Sequence, residues 1–176
     1  MDELVALYAS GDLAGRVSGV ATRHEVRSAN LPHAATAVLL RDTSGRIYVH
    51  RRTTTKDLYP GLHDAFAGGV VGAGEDPFDT AARELREELS VTGCDLRECL
   101  RYWYHDEHAS YLAYVFDATY DAERCTPVVH QPEEVAEGWW MDQEELVARL
   151  ADPTWPFVPD GRESLRRYFE WAGGQG

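Results

Sequence analysis

The chain is poor in sulfur, in long apolar runs and in positive charge, and each shortage removes a class of function. Its cysteines, Cys94, Cys99 and Cys125, are odd in number and form no Cys-x-x-Cys pair, so they read as ordinary thiols of a reducing compartment. No stretch approaches the ~18 apolar residues that a membrane-crossing helix requires. The opening MDELVALYASGDL also lacks the basic-then-apolar order of a secretory leader. A soluble, cytoplasmic protein without a membrane partner is expected. Only 17 Lys and Arg stand against 30 Asp and Glu, a formal net charge of −13. Such a surface repels phosphate backbones, which argues against a nucleic-acid partner gripped through counterion release. It repels small phosphates too, so a phosphate-bearing substrate needs local cations or a metal.

What is present suits one domain over residues 1–176, with 44 % hydrophobic residues available for its core. No repeat, low-complexity tract or linker interrupts the chain. Residues 1–29 read as an N-terminal extension or edge strand, with 15–23 as the strand candidate. Residues 34–40 (AATAVLL) form an apolar run expected as a buried strand, and 46–51 alternate like its hairpin partner across the turn DTSG. A polar loop covers 53–61, and a strand broken by glycines covers 63–71. A helix then starts at Asp76-Pro77, where Asp76 can accept from first-turn amides and Pro77 lacks only an N–H that would be unpaired anyway. Phe78, Ala82, Leu85 and Leu89 mark its apolar face. Further strands are expected over 100–104, 110–116 and 135–141, with helices over 143–150 and 162–171 and a frayed tail from 171. Strands clustered mid-chain with helices between and after them indicate an α/β sandwich.

The chemistry concentrates in residues 68–91, GGVVGAGEDPFDTAARELREELSV. Glu84, Glu87 and Glu88 stand at i, i+3 and i+4, so their carboxylates share one helical face, opposite the leucines. Like charges so spaced repel by a few tenths of a kcal/mol per pair. A divalent cation reverses that sign, and hard oxygen donors suit Mg²⁺ or Mn²⁺. An acidic amphipathic heptapeptide alone is an ordinary solvated helix. The glycine-rich loop that leads into it makes the pattern specific, because Gly68 and Gly69 allow close backbone approach to an ion.

The segment resembles the Nudix box, G-x5-E-x7-R-E-U-x-E-E-x-G-U, with U a bulky apolar residue. Gly69, Glu75, Arg83, Glu84, Leu85, Glu87, Glu88 and Val91 match at the required intervals. Ser90 replaces the box glycine, and a left-handed serine there costs ~1 kcal/mol relative to glycine. The resemblance implies a Nudix-type α/β/α sandwich with a mixed central sheet, and a hydrolase of diphosphate bonds. It makes Glu84, Glu87 and Glu88 the catalytic metal ligands, assisted by the Gly68 carbonyl. It has Arg83 orient Glu87, and Glu75 support the loop. The metal would neutralise a diphosphate and lower the pKa of an attacking water. The general base it implies is a box glutamate or a later one, for which Glu133, Glu134 and Glu137 are candidates.

Beyond the box, NLPHAATAVLL, RRTTTKDLYPGLHDA and WPFVP look like the subgroup that contains isopentenyl-diphosphate isomerase and hydrolase relatives, over residues 23–159. The resemblance gives Arg52 and Lys56 the role of binding the substrate diphosphate. Trp155 and His33 match an isomerase tryptophan and metal histidine. Gly68, however, stands where the isomerase has its cysteine, and Ala109 and Tyr111 stand where it has paired glutamates. Hydrolysis is therefore the expected chemistry, of a nucleoside di- or triphosphate or a derivative, by a monomer or homodimer. Isomerisation and non-catalytic nucleotide sensing are the alternatives. Tyr59, Phe66, Tyr102, Trp103, Tyr104 and Trp139 include candidates to stack a base. His105 and His108 read as solvent-exposed.

Overall fold

Nine strands and four helices follow one another along residues 1–176 of the computed structural model. The first are β1 (Leu4–Tyr8), β2 (Val17–Thr22), α1 (Arg23–Ala29), β3 (His33–Asp42) and β4 (Ile47–Arg52). Then come β5 (His63–Asp64), β6 (Phe66–Ala67), α2 (Pro77–Leu89), β7 (Asp95–His105) and β8 (Ser110–Tyr120). The chain ends with β9 (Val135–Met141), α3 (Gln143–Ala151) and α4 (Pro159–Gly173).

The apolar run around residues 34–40 becomes the spine of the sheet because it is buried on both faces. β3 lies parallel to β8 from His33↔Tyr111 to Asp42↔Tyr120, while β6 pairs antiparallel with it at Val38↔Ala67. β7 and β8 form a long antiparallel hairpin. Alternation along β3 and β8 sorts side chains to two faces. Ala34, Val38, Leu40, Leu112, Tyr114 and Phe116 pack in one cluster with Ala81, Leu85 and Leu89 of α2. Leu39, Ala113 and Val115 pack in the other, with Leu146 of α3 and Leu165 and Tyr168 of α4. Helices thus cover both faces of a mixed sheet, the expected α/β/α sandwich.

Two details depart from the sequence reading. The expected hairpin of β3 with β4 closes only at Arg41↔Ile47. With β8 and β6 already bonded to β3, β4 splays away and pairs instead with β9, from Ile47↔Met141 to Arg52↔Val135. The first 29 residues hold more than an edge strand. β2 does lie outermost, but β1 stands between it and β3, and α1 follows. Thr22 starts α1 with a capping box, accepting from the Glu25 amide while Glu25 accepts from the Thr22 amide.

α2 begins as its sequence dictates. Asp76 accepts from the Phe78 amide at 2.8 Å and Pro77 opens the first turn. Its buried stripe is Ala81, Leu85 and Leu89; Phe78 remains 48 % exposed and only edges onto Phe116. Ser90 ends the helix at φ 58°, ψ 19°, the left-handed conformation expected of the missing glycine.

Candidate active site

The carboxylates of α2 meet the glycine loop through steric fit. A Cβ on Gly69 would fall 2.4 Å from Glu84 Oε1, and one on Gly68 would fall 1.9 Å from the Thr36 carbonyl oxygen of β3. A side chain at Gly68 would push the loop off the sheet, and one at Gly69 would displace the Glu84 carboxylate. The loop is held by Thr36, whose amide donates to the Gly69 carbonyl at 2.9 Å.

Arg83 organises the acidic face. Its Nε and Nη2 donate to the two oxygens of Glu75 at 2.8 and 3.0 Å, a bidentate fork. Its Nη1 donates to Glu84 at 2.7 Å and to Glu87 at 3.2 Å. Glu75 also accepts from the Gly72 amide, and the Arg83 fork holds its carboxyl down at about 2. Burial instead raises Glu84. Glu88 is raised well above the usual range, by burial first and then by Glu84, Asp64 and Glu134. Some solvent reaches Glu88, yet its surroundings are protein; its one protein donor is the Gly68 amide, at a marginal 3.5 Å. Glu87 is the exposed member, at 52 %.

These residues form one wall of a cleft. Gly68, Gly69, Glu84, Glu87 and Glu88 line it, and so do the cations Arg23, Arg27, Arg52 and Lys56. Lys56 pairs with Glu134. Arg52 donates to the Leu58 carbonyl at 3.1 Å, which aims its guanidinium along the polar loop. Side chains of both signs thus line the one opening, where Arg23 also pairs with Glu3 and Arg27 with Asp57. The three α2 glutamates share the cleft, but they are not drawn into a ready-made metal cage: no three Asp, Glu, His or Cys side chains come together that closely. Arg83 lies between Glu84 and Glu87. The donor set nonetheless fits a divalent cation: it is all oxygen, it is crowded with like charge, and Glu88 lacks a compensating cation.

The cleft continues inward to a cavity of about 230 Å³ on the α4 side of the sheet. Small residues on the strands, Ala35, Ala37 and Ala113, leave this space, and Tyr59, Phe66, Tyr104 and Tyr111 are among its walls.

Comparison with known proteins agrees with this geometry. The NUDIX domain family matches residues 31–163. The chain is 46 % identical over 178 residues to a Nudix hydrolase of Rhodococcus erythropolis, covering 95 % of this chain and 92 % of that one. The chain belongs to the Nudix family. A Nudix hydrolase of Streptomyces coelicolor is 38 % identical over 99 % of this chain and 93 % of its own. Among solved structures, a Deinococcus radiodurans protein superposes with a TM-score of 0.76 at 24 % identity, over 95 % of this chain and 99 % of that chain. The Nudix domain of Shewanella oneidensis NrtR, solved with ADP ribose, gives 0.60 at 15 % identity, over 88 % and 99 %. At these identities the structural matches speak for the fold.

This Nudix hydrolase does not place every residue singled out in its sequence at the cleft. Trp155 lies elsewhere: its ring stacks on His63 at 5.1 Å and beside Phe157, packed against the α3–α4 core. The reason is β5, whose His63 bridges to Phe157 and carries the WPFVP segment along the sheet. Glu137 pairs with Arg51 at 2.8 Å and lines neither the cleft nor the cavity, whereas Glu133 and Glu134 line the cleft. Of the aromatic candidates, Tyr59, Phe66 and Tyr104 reach the cavity; Tyr102, Trp103 and Trp139 serve the cores. His33, Ala109 and Tyr111 all line the cavity, as does His108. Sequence reasoning missed Arg23 and Arg27, which α1 carries to the cleft, and also Asp64 and Asp160. The capping box T-x-x-E at Thr22 was the available signal for α1. Nothing local marks the two aspartates.

Proposed function

We propose that this Nudix hydrolase cleaves the diphosphate of a small substrate, a nucleoside di- or triphosphate or a derivative, with Mg²⁺ or Mn²⁺ held by Glu84, Glu87 and Glu88. One observation carries the reading: α2 carboxylates and the cations Arg23, Arg27, Arg52 and Lys56 line the same cleft. A diphosphate bridges such walls, because its oxygens suit guanidinium and ammonium on one side and a metal on the other. The carbonyl of Gly68, whose amide reaches Glu88, would complete the oxygen set. When bound, the metal supplies charge neutralisation and an acidified water. Glu84 and Glu87, which accept from Arg83 here, would hold the ion together with Glu88, while the Arg83 fork on Glu75 would keep the loop against the helix. Arg52 and Lys56 fix the phosphates in line, and positioning accounts for most of the rate. Glu134, freed from Lys56 when a phosphate takes that cation, stands ready to accept a proton from water.

Isomerase chemistry finds no support in the cavity. Gly68 offers no thiol, and Ala109 and Tyr111 line the wall where paired glutamates would be required. A panel of nucleoside and other diphosphates assayed with Mg²⁺ and Mn²⁺ tests the reading, with products analysed after reaction in ¹⁸O-labelled water. Release of phosphate or a monophosphate is expected, with activity lost in Glu87→Gln and Glu88→Gln. Tight ligand binding without turnover would instead establish a sensor, and interconversion of isopentenyl and dimethylallyl diphosphates an isomerase.

A further inference from the structure

Arg23, Arg27 and Arg52 border the inner cavity where it meets the cleft, and the rest of its polar wall is rich in acceptors. The hydroxyl protons of Thr36, Tyr104 and Tyr111 on its wall are already committed to protein acceptors. Tyr104 donates to Asp106 at 2.8 Å, Tyr111 to Asp160 at 3.0 Å, and Thr36 toward the Gly69 carbonyl at 3.4 Å. Those oxygens keep lone pairs to offer. His33 joins them: its Nδ1 meets the Leu31 carbonyl at 2.9 Å, which requires the proton on Nδ1 and leaves Nε2 as an acceptor. Burial lowers the pKa of His33 and keeps the ring neutral.

Two carboxylates complete the set. Asp160, in the first turn of α4, accepts from the Gly161 amide at 2.9 Å and from Tyr111. Asp64 accepts the Ala65 and Phe66 amides on Oδ1 at 2.8 and 3.1 Å, while its Oδ2 has no protein donor. The position is built: a Cβ on Gly161 would come within 3.0 Å of Asp64 Oδ1. Burial and the neighbouring Asp160 push the Asp64 carboxyl up to about 7, outweighing the nearby Arg52 guanidinium, which is not bonded to it.

We propose that this cavity selects, among diphosphates, those whose organic group is ring-sized or smaller and presents an amine to Asp64 and Asp160. Size and polarity both point there. At about 230 Å³ the cavity falls below the ~300–1,000 Å³ of pockets that enclose drug-sized ligands, so it admits one ring while the rest of the substrate lies in the cleft. An amine satisfies the waiting acceptors; a carbonyl or methyl in its place leaves buried carboxylate oxygens unpaired, a penalty that supports strong discrimination. The proposal rests on the reading of the adjoining cleft as a diphosphate site.

The test is calorimetric binding of non-hydrolysable, methylene-bridged diphosphate analogues in Mg²⁺ at about pH 8.5, where Asp64 has lost its proton. Cytidine is compared with uridine, and an aminoethyl group with the isosteric n-propyl. The amino partner of each pair is expected to bind the wild type at least about tenfold more tightly, roughly 1.4 kcal/mol. Asp160→Asn, which turns one acceptor into a donor at constant shape, should bring that ratio close to one; Asp64→Asn serves as the second variant if the first melts early. Equal affinities in the wild type, a reversed preference, or no binding of any analogue overturns the proposal. Turnover of the cleavable counterparts is scored separately. Failure to hydrolyse any of them condemns the hydrolytic reading, while the binding ratio still judges the cavity.

Discussion

Single side chains set the chemistry here through whom they touch. Arg83 contacts three carboxylates, but its planar fork belongs to Glu75, with Glu84 and Glu87 sharing one nitrogen. Lysine at this position keeps the charge and loses the fork. Arg83→Lys should therefore lower kcat by about 10-fold to 100-fold, the equivalent of one charged hydrogen-bond pair of ~1.5–3 kcal/mol. A steady-state assay checks this, and unchanged kcat would show that loop registry does not depend on the fork. Asp64 gives a pH signature. Its folded carboxyl titrates at about 7, against 3.8 without the protein around it. Between those values the folded chain holds a proton that the unfolded chain has released, so this group's contribution to stability falls as pH rises across the window. Asp64→Asn should consequently be more stable than wild type at pH 8, with the difference shrinking toward pH 4. Urea melts across that range measure it, and a difference independent of pH would contradict the assigned titration.

At the level of elements, the C-terminus of α2 shows how the helix ends without its glycine. Ser90 adopts the left-handed conformation, and residues 126–131 lie along the helix end as a strap. Val129 donates to the Leu89 carbonyl and Gln131 to the Glu88 carbonyl, both at 2.9 Å, while Thr126 Oγ1 donates to the Ser90 carbonyl at 2.7 Å. Carbonyls that a helix normally leaves unpaired are thus satisfied from outside. Ser90→Gly removes the backbone strain and keeps every one of these bonds. It should add about 1 kcal/mol, raising Tm by roughly 2–4 °C for a chain of this size. Just before this strap stands Cys125, whose sulfur lies 2.7 Å from that of Cys94. Treatment with a disulfide oxidant should cross-link the two, each losing its hydrogen to the oxidant, and peptide mapping without reductant reads the product. Recovery of both as free thiols after prolonged oxidation would contradict the contact.

Much of this was legible in the sequence, for identifiable reasons. The acidic helix and its Asp76-Pro77 start follow from local spacing and capping, and the left-handed Ser90 from its match to the box glycine. The buried strands follow from apolar runs and alternation. What stayed hidden depends on tertiary pairing: β4 leaves β3 because other strands take its edges, and α1 brings Arg23 and Arg27 to the cleft from a weakly patterned segment. Asp64 and Asp160 lie far apart in the chain and meet only because β5 and the start of α4 converge on one cavity. Trp155 drew notice by its match to a family position, and its ring packs on His63, away from the residues that line the cleft and cavity.

For the whole molecule the decisive feature is how an acidic protein admits an anion. With a net charge of −13 and Lys56 as its sole lysine, the chain still directs four cations, beside Arg83, to one opening. Loss of one of them, as in Arg52→Ala, should raise KM about 5-fold or more, with a smaller effect on kcat; the increase should be larger at low ionic strength, where charges act over longer range. The opposite wall carries the central claim, that Glu84, Glu87 and Glu88 gather a divalent cation. The most direct measurement is a titration of the purified protein with Mn²⁺, with free ion followed by electron paramagnetic resonance. A saturable site is predicted, weakened about tenfold or more in Glu88→Gln and Glu84→Gln. Unsaturable binding, or a site indifferent to both substitutions, would contradict it.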